Sequence, residues 1–273
     1  MNFLICCFLF FIGSFIATKL LLPLFLHLFY QAGCTKINYK GDNIPVGIGF
    51  IFIPVLSGSV ICTILFHLGN QQFELAFLLG VFGMGIAGLL DDLLGNRNVT
   101  GLKGHLKMLL KKRELTTGGF KALFGGVLSL MISMLISKGW IDIFLNTLII
   151  ALFTNFINLL DLRPGRALKG FLLSGFLLFL NSIHQIFQLL LISLAGSSLA
   201  YMPYDLKARS MMGDVGSNIL GISLGIACAS CGFYTRIVVL VLLLSLHIYT
   251  EKYSLTETIE KNKILRYLDQ MGR

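Results

Sequence analysis

Four aspartates stand at the ends of apolar runs in a chain with only 13 acidic residues: Asp91 and Asp92 in GLLDDLLG, Asp161 in NFINLLDL, and Asp214 in MMGDVGSN. A carboxylate at membrane depth is costly unless it is paired or faces water, so such residues mark a candidate site. If all four meet at one membrane face, they suit a hard divalent cation and, with it, phosphoryl chemistry. Adjacent helical residues point about 100° apart, so Asp91 and Asp92 address different partners. One can bind metal while the other faces a second group. Both sit at a helix C-terminus, where the helix dipole disfavours negative charge. Something must compensate, and a cation would do so.

Asn155, Asn158 and Asp161 recur at i, i+3 and i+6 and form one polar stripe. Such amides bind a ligand's polar groups or pair between helices. Gly213-Asp214-Val215-Gly216-Ser217-Asn218 opens an apolar stretch. Its glycines permit close backbone approach, and a helix N-terminus offers free N–H groups to an anion. Asp214 reads as a metal ligand beside that anion or as a plain N-cap. In the basic segment that follows Asp92, Lys103 and Lys107 share a face at i, i+4 and are candidate phosphate contacts. Ile44-Pro45-Val46-Gly47 reads as a helix start. His27, His67, His184 and His247 are scattered and read as interfacial or interhelical residues. Cys228-Ala-Ser-Cys231 has redox spacing but lies in an apolar run, where a thiol acts as a small core residue.

These residues must be carried by membrane helices. The 273 residues are 56% hydrophobic, with mean hydropathy +0.83, too apolar for a soluble domain. The runs are too uniformly apolar for barrel strands. The expected fold is all-α, a polytopic transmembrane bundle of about nine spans: roughly 3–30, within 43–73, 75–93, 119–137, 143–160, two spans within 170–204 split at Asn181–Gln185, 215–231 and 236–250. The first reads as a retained span rather than a signal peptide. Residues 1–250 form one catalytic domain in this reading, and 251–273 an amphipathic tail.

Nineteen of the 22 basic residues fall in loops on one side, whereas the opposite loops hold Lys138 and Arg236. The positive-inside bias puts the first set, the C-terminus and all four aspartates on the cytoplasmic side, with the N-terminus outside. A net charge of +9 therefore reflects orientation, anionic lipid and an anionic substrate; no nucleic-acid partner is expected. Lys19, inside the first span, has no partner evident in the sequence.

Taken in order, Ile44-Pro45-x-Gly47, Leu90-Asp91-Asp92-Leu93, Gly101-Leu102-Lys103 with Lys107, Asn155-x-x-Asn158-x-x-Asp161, and Met212-Gly213-Asp214-x-Gly216-Ser217 resemble the polyprenyl-phosphate N-acetylhexosamine-1-phosphate transferases of glycosyltransferase family 4. The resemblance covers roughly residues 35–260. It implies a multi-pass enzyme of the bacterial cell membrane that moves a sugar-1-phosphate from a UDP-sugar to undecaprenyl phosphate, releasing UMP and using Mg2+. Cell-envelope glycan synthesis would be its setting. Asp214 would ligate metal, Asp91 would contact or deprotonate the lipid phosphate, and Asp92 would support the same centre as catalytic group and ligand. Lys103, Lys107, Asn155, Asn158, Asp161, Gly213 and Ser217 would bind substrate. A homodimer is left open.

The chain departs from the pattern at Pro164, where the family has a second acid, and at Met211, where it often has an aromatic residue suited to stacking on uracil. Two other readings stand beside the enzyme: a degenerate relative that binds polyprenyl phosphate or a partner without turnover, and a cation-coupled transporter. Transporters place acids near mid-membrane and show internal repeats, and neither feature is evident here.

Overall fold

A computed structural model describes residues 2–95, 104, 108 and 113–273. The described chain is a helical bundle with one short β-hairpin, in which β1 (Thr35–Ile37) pairs antiparallel with β2 (Asn43–Pro45). The main helices are α1 (Phe3–Gln31), α2 (Phe52–Leu65, entered through a 3-10 turn at Ile48–Ile51), α3 (Gln71–Leu94), α4 (Thr117–Ile136), α5 (Trp140–Leu160), α6 (Arg166–Asn181), α7 (Gln185–Leu206), α8 (Gly213–Ala229) and α9 (Phe233–Thr250). Two short ones, α10 (Leu255–Lys261) and α11 (Lys263–Gln270), follow. Helices thus occupy each of the nine expected segments. Seven of them are long and apolar enough to cross a bilayer; α8 is apolar but shorter, at 17 residues, and α6 has 16. The protein is an all-α, multi-pass membrane protein.

Helix α8 is the axis of the bundle, buried along nearly its whole length. Small residues let its neighbours close in. A side-chain carbon at Gly221 would come 2.5 Å from Thr154 Cα, and one at Gly225 would come 2.6 Å from Ile150 Cα. A four-residue spacing of glycines is a recurrent way for membrane helices to bring backbones together. On the other side, α1 and α7 meet through hydroxyls: Ser14 and Ser193 at 2.5 Å, Thr18 and Ser197 at 2.6 Å. In a medium without water, these groups must satisfy one another. Lys19 is exposed and lies over the rings of Phe15 and Tyr204, at 5.8 and 5.9 Å.

Two expectations about helix starts change. Pro45 does not begin a helix; it ends β2, and its carbonyl accepts the Met211 N–H at 2.8 Å. A residue that lacks an N–H but keeps its carbonyl suits such an edge. The sixth span begins at Arg166 rather than near 170, so Arg166 and Lys169 belong to α6.

The tail is folded against the bundle. Arg166 and Asp269 form a two-pronged ion pair (2.8 and 3.0 Å), with both side chains almost entirely buried. Lys169 Nζ donates to the carbonyls of Leu268, Asp269 and Met271 and so caps the end of α11. Arg273 donates to the Pro164 carbonyl at 2.9 Å.

Candidate active site

The end of α3 and the start of α8 meet. Asp92 is buried, and its two oxygens accept the N–H groups of Asp214 at 3.0 Å and Val215 at 3.1 Å. The carboxylate therefore caps α8 from another helix. Its own helix dipole opposes it, but the free N–H groups and positive end of α8 compensate. Asp214 is consequently not the N-cap of α8; that position falls on Met212, which makes no side-chain cap bond. The side chain of Asp214 is left to point elsewhere.

It points to Lys121, in the second turn of α4. The Lys121 ammonium donates to Asp214 Oδ2 and, at 2.7 Å, to Asp91 Oδ2. Thr117, at the start of α4, lies beside Asp91. The adjacent acids of α3 thus divide as their angular offset requires, Asp92 to backbone and Asp91 to a cation.

Two backbone devices hold this meeting point. Gly213 has φ 76°, a region that side chains disfavour, and a carbon added there would lie 2.9 Å from Asp92 Cγ. Val46, just after β2, forms an isolated bridge with Met211; Ile48 and Gly49 donate to the carbonyls of Met211 and Met212 at 3.2 and 2.9 Å. The Ile44–Gly47 motif therefore acts on the Gly213-Asp214 turn by stitching it in place.

The polar stripe of α5 adjoins the same turn. Ser217, fully buried, donates to Asn158 Oδ1 at 3.0 Å and towards the Asp214 carbonyl at 3.3 Å, which ties α8 to α5. Asn155 is exposed and Asp161 half-buried. Asp161 lies within electrostatic range of Asp205, Asp214 and Asp92. Asp205 is buried; its Oδ2 accepts the Gly165 N–H at 2.6 Å, and the Met212 N–H lies beside the same carboxylate. It thereby fastens the segment after Asp161 to the turn before Asp214. Lys103 and Lys107 lie outside the described residues.

Lys121 and Asp205 are the residues that sequence reasoning missed. By charge counting Lys121 falls among the basic loop residues, yet its place just after Thr116-Thr117-Gly-Gly is a helix-start signal. Asp205 is an acid at the end of a long charge-free stretch, the same signal that exposed the other aspartates.

Beside Asp91 runs an apolar groove of about 260 Å3, lined by Leu90, Leu94, Leu115, Thr116, Thr117 and Phe120. A larger cleft of about 450 Å3 opens between the end of α9 and α10, around Tyr249, Tyr253 and Lys261, and holds none of the clustered acids.

The model of glycosyl transferase family 4 matches residues 74–232, which include Asp91, Asp92, Asp161, Asp205 and the Gly213-Asp214 turn. The chain belongs to this family. Among curated family 4 proteins, it is similar to the phospho-N-acetylmuramoyl-pentapeptide-transferase of Prochlorococcus marinus strain MIT 9301, with 32% identity over 216 residues, 74% of this chain and 59% of that protein. It is also similar to the transferase of the same name from strain MIT 9215, with 29% identity over 202 residues, 69% and 56% of the two chains. The chain spans less than two thirds of the length of these relatives. What is shown of the chain is its membership of a glycosyl transferase family; the phospho-N-acetylmuramoyl-pentapeptide transfer is the named activity of the two relatives.

The family resemblance implies a divalent metal. Among the described residues, no three His, Cys, Asp or Glu side chains group closely enough to hold one alone. Mg2+ does not need that: it is commonly held by one or two carboxylates, with water and substrate phosphates completing its shell. Asp91 and Asp214, already turned towards one positive charge, fit that mode. Asp92, with each oxygen engaged by backbone, fits a positioning part better.

Proposed function

We propose that the chain transfers a sugar-1-phosphate, N-acetylhexosamine-1-phosphate by class, from a UDP-sugar to undecaprenyl phosphate at the cytoplasmic face of a bacterial membrane. The observation that carries this reading is the convergence of Asp91 and Asp214 on the Lys121 ammonium. An oxygen of the lipid phosphate would attack the phosphorus attached to the sugar. The bond to the uridine-bearing phosphate would break, and UMP would leave. Both reactants are polyanions, so the site must first let them approach.

Each residue has a part in that task. Asp91 and Asp214 would hold Mg2+, which when bound supplies positive charge to the phosphoryl oxygens. Lys121 adds a fixed positive charge at the same point. Asp92 and Asp205 keep the turn before α8 rigid, and alignment is a large share of phosphoryl-transfer catalysis. The lipid phosphate is already anionic, so Asp91 orients it more than it deprotonates it. The apolar groove beside Asp91 supports entry of a prenyl chain at that point. Asp161, Asn158 and the exposed Asn155 line the approach for the nucleotide sugar. Gly213 and Ser217 shape the turn.

The test uses purified protein with undecaprenyl phosphate, Mg2+ and a panel of labelled UDP-sugars, with UMP and lipid-linked sugar as products. A second reading, a relative that binds polyprenyl phosphate without turnover, draws on Pro164 standing where the family has an acid. Lipid binding with no UMP from any UDP-sugar would favour it.

A further inference from the structure

Helix α11 carries an apolar face that the bundle does not cover. Ile264, Leu265, Tyr267, Leu268 and Met271 are 42–72% exposed. At about 100° per residue, they fall on one side of the helix, with Lys263, Arg266 and Gln270 on the other. Asp269, at the boundary, is the residue clamped by Arg166. The helix is therefore moored by its polar edge while its apolar face stays free.

Continuity and charge indicate what covers that face. The mooring residues, Arg166 and Lys169, open α6, whose Leu173, Phe176, Leu177 and Leu180 are 54–65% exposed on a membrane-spanning bundle. The apolar surface of α11 thus continues a surface that already meets lipid. Gly272 lies against Leu206, the last residue of α7, which keeps α11 level with the helix ends. From 261 to 273, Lys261, Lys263, Arg266 and Arg273 face one acid, Asp269. A short amphipathic helix with a basic edge suits an anionic membrane surface.

We propose that α11 lies in the leaflet at the acid-cluster end of the bundle. Its apolar face sits at the acyl boundary and its basic edge on anionic headgroups, and Arg166 and Lys169 fix its position. Since Arg273 and Asp205 bind Pro164 and Gly165, the moored helix also braces the segment after Asp161.

The experiment uses the full chain in nanodiscs of phosphatidylcholine and phosphatidylglycerol. The sole tryptophan is removed (Trp140→Phe) and a reporter is introduced as Tyr267→Trp. Lipids brominated in the acyl chain should quench the new tryptophan about twofold or more. Adding Ile264→Ser with Leu268→Ser should abolish that quenching without altering the bundle, since both side chains are exposed. Adding Asp269→Asn should keep quenching but lower the anisotropy of the reporter. An unquenched reporter open to aqueous quenchers overturns the proposal. So does an unquenched, shielded reporter whose emission depends on protein density, which would mark contact between two copies of the chain.

Discussion

Asp91, at the end of α3, and Asp214, at the start of α8, share one ammonium group, that of Lys121. Neither acid reaches this arrangement through its own helix. Asp91 is turned there because its neighbour Asp92 is committed to the N–H groups of α8. Asp214 is free to turn there because Asp92 has taken over its capping task. The cation centre and the interhelical cap are thus two halves of one device.

Removing Lys121 should separate charge from fold. Lys121→Met leaves two carboxylates facing each other with little water, and breaking such a pair costs about 3 kcal/mol. The unfolding midpoint in detergent should fall, and Mg2+ should restore part of the loss by taking the vacated place. Turnover should drop about a hundredfold or more. A midpoint unaffected by both the substitution and Mg2+ would count against a shared cation centre.

Asp92 and Asp214 should fail differently. Asp92→Ala removes an interhelical cap worth about 1–2 kcal/mol, so its unfolding midpoint falls along with its turnover. Asp214→Asn keeps the cap and the packing, so turnover falls while the midpoint moves little. Equal midpoint losses in the two variants would argue that Asp92 is not the cap.

The turn itself offers a backbone test. Gly213→Ala forces a side chain into a left-handed conformation and towards the Asp92 carboxylate. The expected cost is about 1–3 kcal/mol, read as a lower unfolding midpoint. Gly126→Ala, on α4 with open space around it, should cost nothing and serves as the control.

The acids were legible because a charge in an apolar run is rare and costly, a signal that needs no structure. Their partners were not. Lys121 sits among several basic residues, and no local pattern separates a lysine that pairs with α3 and α8 from one that sets orientation. Caps are usually local, so the adjacent Asp214 was the natural candidate for α8, and Asp92 lay far along the chain. Pro45 shows the same limit: proline fits a helix start and a strand end equally well, and only the Met211 partner decides. The lengths of the apolar runs located every helix from α1 to α9, whereas the ion pair that docks the tail depended on a fold not visible in α11 alone.

Docking of that tail should depend on pH. Burial would raise the Asp269 carboxyl, but the hydrogen bonds and charge of Arg166, with Arg273, outweigh it and hold Asp269 below the usual carboxylate range. A group lowered on folding contributes its stabilisation above the ordinary carboxylate pKa and loses it as pH falls through the folded value. Hydrogen exchange of residues 263–270 should therefore stay slow from neutral pH to the ordinary carboxylate range and accelerate only in stronger acid. Asp269→Asn should exchange quickly throughout. Release of the tail near neutral pH would contradict the clamp.

The most direct test of the shared cation centre is divalent-metal uptake, followed by the electron paramagnetic resonance of Mn2+ as a stand-in for Mg2+, with UDP-sugar present. The wild-type chain should take up the ion, Asp91→Asn and Asp214→Asn should each weaken uptake, and the double substitution should add little to either one. Uptake that survives both substitutions unchanged would show that these two acids do not form the metal centre.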